Sequence, residues 1–232
     1  MTRALVRKEL KVLWASPLPY VLGAVLNATL GVLGWGQIAG RGQAVFQPIV
    51  PIAAFLTVLV APILAARSVA DEIRTGTLEI LVAARVSDLR IVAGKYVALV
   101  VTLWTLLAPV GLFAVLLALW GDPDGGPIIT GLAGLAIMAA AMAAIGLVAS
   151  SLTSSQPVAA IGALFAVLVL WFAHVGSDAL AAGGLVASLS LSERLRSFAA
   201  GVLDLTDLVF FASVIAGSLA AAVVALAARR WR

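Results

Sequence analysis

The sequence predicts an all-α integral membrane protein with about six transmembrane helices. Three observations carry this reading. Of 232 residues, 63% are apolar and 11% are charged, against roughly 25% charged in a soluble domain. The apolar residues fall in long blocks nearly free of charge, and a bilayer core needs about 20 such residues per helix. When those blocks are threaded through a membrane, the basic residues gather on one side.

Lipid offers no hydrogen-bond partners to the backbone, so long apolar blocks read as helices. The first runs from Leu18 to Ile38, after a basic stretch from Met1 to Ser16. A cleavable signal peptide is the alternative for this block. Its apolar run is long for a signal, and no small-residue cleavage site closes it. The second block spans Ile49 to Ala66, closed by Arg67, and the third spans Ile91 to Trp120, with Pro109 as an expected kink. The turn-forming run Gly121 to Pro127 separates it from the fourth, Ile128 to Leu152. The fifth runs from Pro157 to His174 and the sixth from Leu208 to Ala228, ending at Arg229 and Arg230.

With six crossings and the N-terminus inside, the inner side receives twelve of the basic residues and the outer side only Arg41, Arg194 and Arg196. That bias fixes both termini on the cytoplasmic side. It also accounts for the net charge of +4, so nucleic-acid binding is not needed to explain it. Lys95, just inside the third block, is expected to snorkel back to the inner interface.

Three stretches are too polar to span. In Thr2 to Trp14, Leu5, Leu10, Leu13 and Trp14 alternate with Arg3, Arg7, Lys8 and Lys11. A helix there would be amphipathic and lie in the inner interface, either as a basic anchor that fixes topology or with a mechanical role. The second stretch, residues 67–90, concentrates charge in a chain that otherwise avoids it: Arg67, Asp71, Glu72, Arg74 and Glu79 around Thr75-Gly76-Thr77. The Gly reads as a helix break, and the Thr and Glu after it as the cap and first turn of another helix. Two short helices meeting at Gly76, one a continuation of the second span, would form a docking surface for a cytoplasmic partner; the alternative is a solvated hairpin. The third stretch, residues 175–207, is expected outside as an interfacial or re-entrant segment packed on protein.

Chemistry is sparse. The chain has no cysteine and one histidine, His174, which excludes disulfides, thiolate catalysis and a zinc site. No GxxxxGK[ST] loop is present; Gly94-Lys95 is followed by Tyr96. No span carries the buried ionisable residue expected of an ion relay. Ser150, Ser151, Thr153, Ser154 and Ser155 read as a polar inner turn. The small residues of the fourth block, Gly131, Gly134 and Gly146 among them, read as a close-packing face. Catalytic residues, bound cofactors and metal ligands are all assigned as none.

The stretch Glu72-Ile-Arg-Thr-Gly76-Thr77-Leu-Glu79-Ile-Leu81 resembles the E-x-x-x-G-T-x-E-x-L signature of ABC-2 type permeases. Ile91 to Tyr96, with Gly94-Lys95, is similar to the start of that family's third span. The opening Arg7-Lys8-Glu9-Leu10 with Ser16-Pro17 and Tyr20, and the closing stretch from Ser190 to Trp231, are similar to its gliding-motility and copper-maturation branch. A departure lies at Arg85, where the family often has proline. The resemblance covers essentially the whole chain, residues 1–232, as one transmembrane domain.

That resemblance implies a cytoplasmic-membrane subunit, itself not an enzyme. It would pair with a second copy or a similar permease and bind two copies of a separate ABC ATPase that holds ATP and magnesium. The N-terminal helix, with Arg7, Lys8, Lys11 and Trp14, would be the connecting helix. Residues 67–90 would contain the coupling helix, placing Asp71, Glu72, Arg74, Gly76, Thr77 and Glu79 at or beside the ATPase. Residues 175–207 would match the external re-entrant helices. The activity implied is export. Alternatives are a mechanotransmitting complex that moves no solute, and an ATPase-independent secondary transporter or structural subunit. A lining of Ala, Leu, Val and Gly names no cargo.

Overall fold

The computed structural model describes residues 2–41, 46–77, 86–120, 123–177 and 183–229, and the described residues form helices and connecting turns without strands. The order is α1 (Thr2–Trp14), α2 (Leu18–Arg41), α3 (Ile49–Thr75), α4 (Asp88–Trp120), α5 (Gly125–Leu152), α6 (Gln156–Trp171), α7 (Ala173–Ser177), α8 (Gly183–Ser188), α9 (Leu191–Ala199) and α10 (Leu205–Arg229). Among these, five are long and apolar enough to cross a membrane: α2, α3, α4, α5 and α10. The chain is therefore an all-α, multi-pass membrane protein. The predicted fifth span is a shorter helix, α6, of 16 residues, about 24 Å at 1.5 Å per residue. It breaks at Phe172, whose N–H donates to the Leu168 carbonyl before α7 begins.

The core is the packed pair α3 and α5. Two-thirds of the apolar window of each is buried, against 11% for α10. The small residues of α5 explain the closeness. A Cβ on Gly146 would overlap that of Ala65, one on Gly131 would come within 2.8 Å of Val50, and one on Gly134 within 2.6 Å of Phe198. The close-packing reading of this face is thus correct, and it serves two neighbours, α3 and α9. Hydrogen bonds pin the contacts at both ends. Thr130 Oγ1 donates to the Phe198 carbonyl at 2.7 Å. Ser150 Oγ donates to the Ala66 carbonyl at 2.9 Å and accepts from the N–H groups of Val69 and Ala70 at 3.0 Å. Ser150 and Ser151 are therefore not loop residues. Both are helical and buried, because Ser150 supplies polar partners to one turn of α3 where water is excluded.

Within residues 183–202, α9 packs on α5 and α3, while Gly184, Ser188, Leu189 and Val202 are exposed. Ser190 caps α9, accepting from the Glu193 N–H in a capping-box sequence. Leu191, Leu195 and Phe198 are buried beneath it. A left-handed residue, Gly201 with φ of 93°, ends α9. There the Val202 N–H reaches the Ser197 carbonyl and the Gly201 N–H reaches Phe198, the pair of bonds that needs a positive φ. Arg194 then ties α9 to α10 through Asp207, at 2.8 Å, and lies 4.5 Å from the Phe210 ring centre.

The close approach at Gly146 gives a sign reversal to test. In an open helix position, Gly→Ala gains about 1 kcal/mol of helix propensity. At Gly146 the added methyl must push α3 and α5 apart, and such overpacking costs about 1–3 kcal/mol. Gly146→Ala is expected to lower the melting temperature in detergent. Gly217→Ala, which meets nothing within 4 Å, is expected to raise it. Equal shifts for the two would rule out the tight crossing.

Candidate functional site

The charged groups converge where α1, α3 and α4 meet. Lys95 is held on the second turn of a helix that starts at Asp88, earlier than hydropathy alone marks. It is 1% exposed and does not snorkel. The reason is that three oxygens reach it first. Lys95 Nζ lies 3.0 Å from Glu9 Oε2, 2.9 Å from Glu72 Oε2 and 2.7 Å from the Ser68 carbonyl. Lys95 donates to Glu9 Oε2 and the Ser68 carbonyl, and Glu72 Oε2 faces it as an ion pair, so oxygens of the protein take the place of water around the ammonium.

The carboxylates are shared with a second lysine. Lys8 Nζ lies 3.2 Å from Glu9 Oε1 and 2.9 Å from Glu72 Oε1. Two ammoniums and two carboxylates therefore form a closed, neutral ring, with each carboxylate bridging both lysines. Lys8 sits at the outer edge, its side chain 46% exposed, while Glu9 and Glu72 are 7% and 14% exposed. Burial opposes the charge on Lys8, but the Glu72 hydrogen bond and the attraction of Glu9 and Glu72 outweigh it, so its pKa is raised. The ring spans three elements: Lys8 and Glu9 on α1, Glu72 on α3 and Lys95 on α4. Gly94 makes room for it. A Cβ there would come within 2.7 Å of the Leu5 side chain, so the Gly-Lys pair lets α1 lie flat on α4 while the lysine meets Glu9.

The remaining predicted residues separate into two groups. Helix α3 continues unbroken past Ala66 to Thr75, as a continuation of the second span. Arg67 pairs with Asp71 at 3.4 Å and Arg74 lies 3.6 Å from Asp71. Gly76 caps the helix with φ of 71°, which confirms the break read there. Arg74, Thr75, Gly76 and Thr77 face outward and are exposed. Glu72 turns the other way, into the ring. Glu79, with the helix expected after Gly76, lies outside the described residues. On α1, Arg7, Lys8 and Lys11 are exposed and Trp14 is half-buried, meeting Tyr20 edge-on at 5.3 Å between ring centres.

Two expectations need correction. Lys95 is an ionisable residue buried within an apolar helix, where none was expected. Glu9 is buried on the packed face of a helix read as apolar against basic. The signal for both was present as a mismatch. A lone lysine in a span and a lone acid in a basic helix each lack a local partner. His174 lies away from this site, with Nδ1 3.2 Å from Ser190 Oγ and 3.1 Å from Ser192 Oγ.

Residues 23–183, more than two-thirds of the chain, match the sequence-family model described as "ABC-2 family transporter protein". No curated protein matches the chain.

Removing one member of a buried ion cluster strands the others, at a cost of about 3–5 kcal/mol. An exposed member contributes roughly 1 kcal/mol or less. Lys95→Met is therefore expected to lower thermal stability far more than Lys8→Met. Adding Glu72→Gln to Lys95→Met should recover part of the loss. A Lys95→Met protein as stable as wild type would contradict the ring.

Proposed function

Because the chain belongs to the ABC-2 transporter family, we propose that it is the membrane-spanning subunit of an ABC exporter whose ATP-hydrolysing chains are separate subunits. The observation that carries this reading is the Lys8–Glu9–Glu72–Lys95 ring beside an exposed helix end. Arg74, Thr75, Gly76 and Thr77 are presented outward, and one helical turn before them Glu72 is locked to α1 and α4. A partner pressing on the tip of α3 moves a charged joint that three helices share. None of the three can move alone without stranding a buried charge.

In this reading the tip, with Asp71, Arg74, Gly76, Thr77 and the neighbouring Glu79, contacts the ATPase, and Glu72 transmits rather than touches. The ring side is cytoplasmic, as the basic residues favour. Both termini then lie inside, which requires a sixth crossing, made by α6 with α7. The segment containing α8 and α9 lies at the outer face. Two such subunits, identical or similar, assemble with two ATPase subunits, and ATP and magnesium are held by the ATPases.

Co-purification tests the contact. Membranes containing the chain and a co-expressed ABC ATPase are solubilised, and the bound ATPase is quantified. Arg74→Glu combined with Glu79→Arg should reduce capture at least about tenfold, since centrally placed contact residues each carry about 2 kcal/mol or more. Its melting temperature should stay near wild type, because Arg74 is exposed. Undiminished capture would refute the contact, and ATP hydrolysis by the purified chain alone would refute the division of labour.

A further inference from the structure

We propose that the groove between α5, α6 and α10 is a binding site for one anionic phospholipid, with an acyl chain in the groove and the headgroup phosphate on Arg229. The groove encloses about 620 Å³. It is walled by Ile145, Val148 and Leu152 of α5, Val158 and Ala166 of α6, and the α10 backbone at Gly217. From Ile145 to Thr153 it runs about 12 Å along α5 at 1.5 Å per residue. Its floor is roomy because two walls lack side chains: Gly162 and Gly217 have no atom within 4 Å of where a Cβ would stand. An apolar slot of this size open to lipid is filled by something equally apolar.

Charge at one end selects the occupant. Arg229 Nε donates to the Ser151 carbonyl at 2.9 Å, which anchors the guanidinium beside the Leu152 and Thr153 end of the groove. Its two terminal nitrogens, with four of the five donors, have no acid partner among the described residues. A guanidinium fixed in this way matches a phosphate in geometry as well as charge. The level is that of a membrane boundary. Ser150, next to Ser151, bonds Val69 and Ala70, and the adjoining Ser68 carbonyl receives Lys95. Arg229 therefore lies at the height of the charged ring, where headgroups begin. The second-copy alternative would place a protein helix in the groove and leave the anchored arginine without a counter-ion.

Delipidated full-length protein in neutral detergent, with dioleoyl-phosphatidylglycerol or dioleoyl-phosphatidylcholine added, tests this by native mass spectrometry. Wild type should retain one phosphatidylglycerol at roughly fivefold higher occupancy than phosphatidylcholine, the ratio one basic residue at an anionic surface supplies. Arg229→Gln should bring that ratio close to one. Gly162→Leu and Gly217→Leu, which place side chains in open space, should remove both lipid adducts without lowering the melting temperature. Equal retention of the two lipids by wild type, or a preference that survives Arg229→Gln, overturns the proposal. So does a change of subunit number in place of adduct loss in the glycine variants, which would show a second copy in the groove. No ATPase is present in this experiment, so its failure leaves the proposed transport role standing.

Discussion

A lysine buried in an apolar helix must find its counter-charge before the helix can settle, and in this protein that demand fixes where three helices meet. Moving an ammonium out of water costs several kcal/mol even after the protein relaxes. Lys95 recovers that cost only when Glu9, Glu72 and the Ser68 carbonyl are all within about bonding distance. Those groups come from α1 and α3. The register of α1 along α4, and the depth of α3 beside both, follow from one side chain. Apolar packing alone would tolerate sliding, because a stripe of Ala, Leu and Val looks much the same one turn on.

The second ordering element is the contact between α3 and α5, built on opposite means. There the chain removes side chains, at Gly146 opposite Ala65, and inserts a single hydroxyl, Ser150, to serve three backbone groups of α3. In lipid, close approach and satisfied polar groups are what drive helices together, since the surroundings are as apolar as the helix faces. α10 packs along α5 by a single face, burying Asp207, Phe211, Ala222 and Leu226, and leaves most of its surface exposed. Buried contacts are thus concentrated in α3, α5 and their charged end.

Much of this was legible in the sequence. Apolar blocks located the long helices, because lipid demands them. They mark where lipid stops and not where a helix stops, so the continuation of α3 had to be read from local chemistry around Gly76. α3 carries on for nine residues past Ala66, with Arg67 and Asp71 paired one turn apart. The break at Gly76 was readable from local chemistry alone. The inward turn of Glu72 was not, because its partners lie 64 and 23 positions away in the chain at Lys8 and Lys95, and one sequence carries no record of pairing. The break of α6 at Phe172 has no residue that announces it; Phe172 is apolar like its neighbours. The family match spans residues 23–183, and within the signature Glu72 turns inward to the ring while Arg74 and Gly76 face outward.

The Gly146–Ala65 crossing divides α3 unequally. From Ala65 to Thr75 is about 15 Å of helix, and from Ala65 back to Ile49 about 24 Å, at 1.5 Å per residue. A helix that rocks about that point works as a lever with its short arm at the charged tip. Motion at the tip is then enlarged roughly 1.6-fold at the far end, in the opposite direction, while force is reduced in proportion. Were α3 to rock there, small displacements at the exposed tip would be geared to larger ones at its far end.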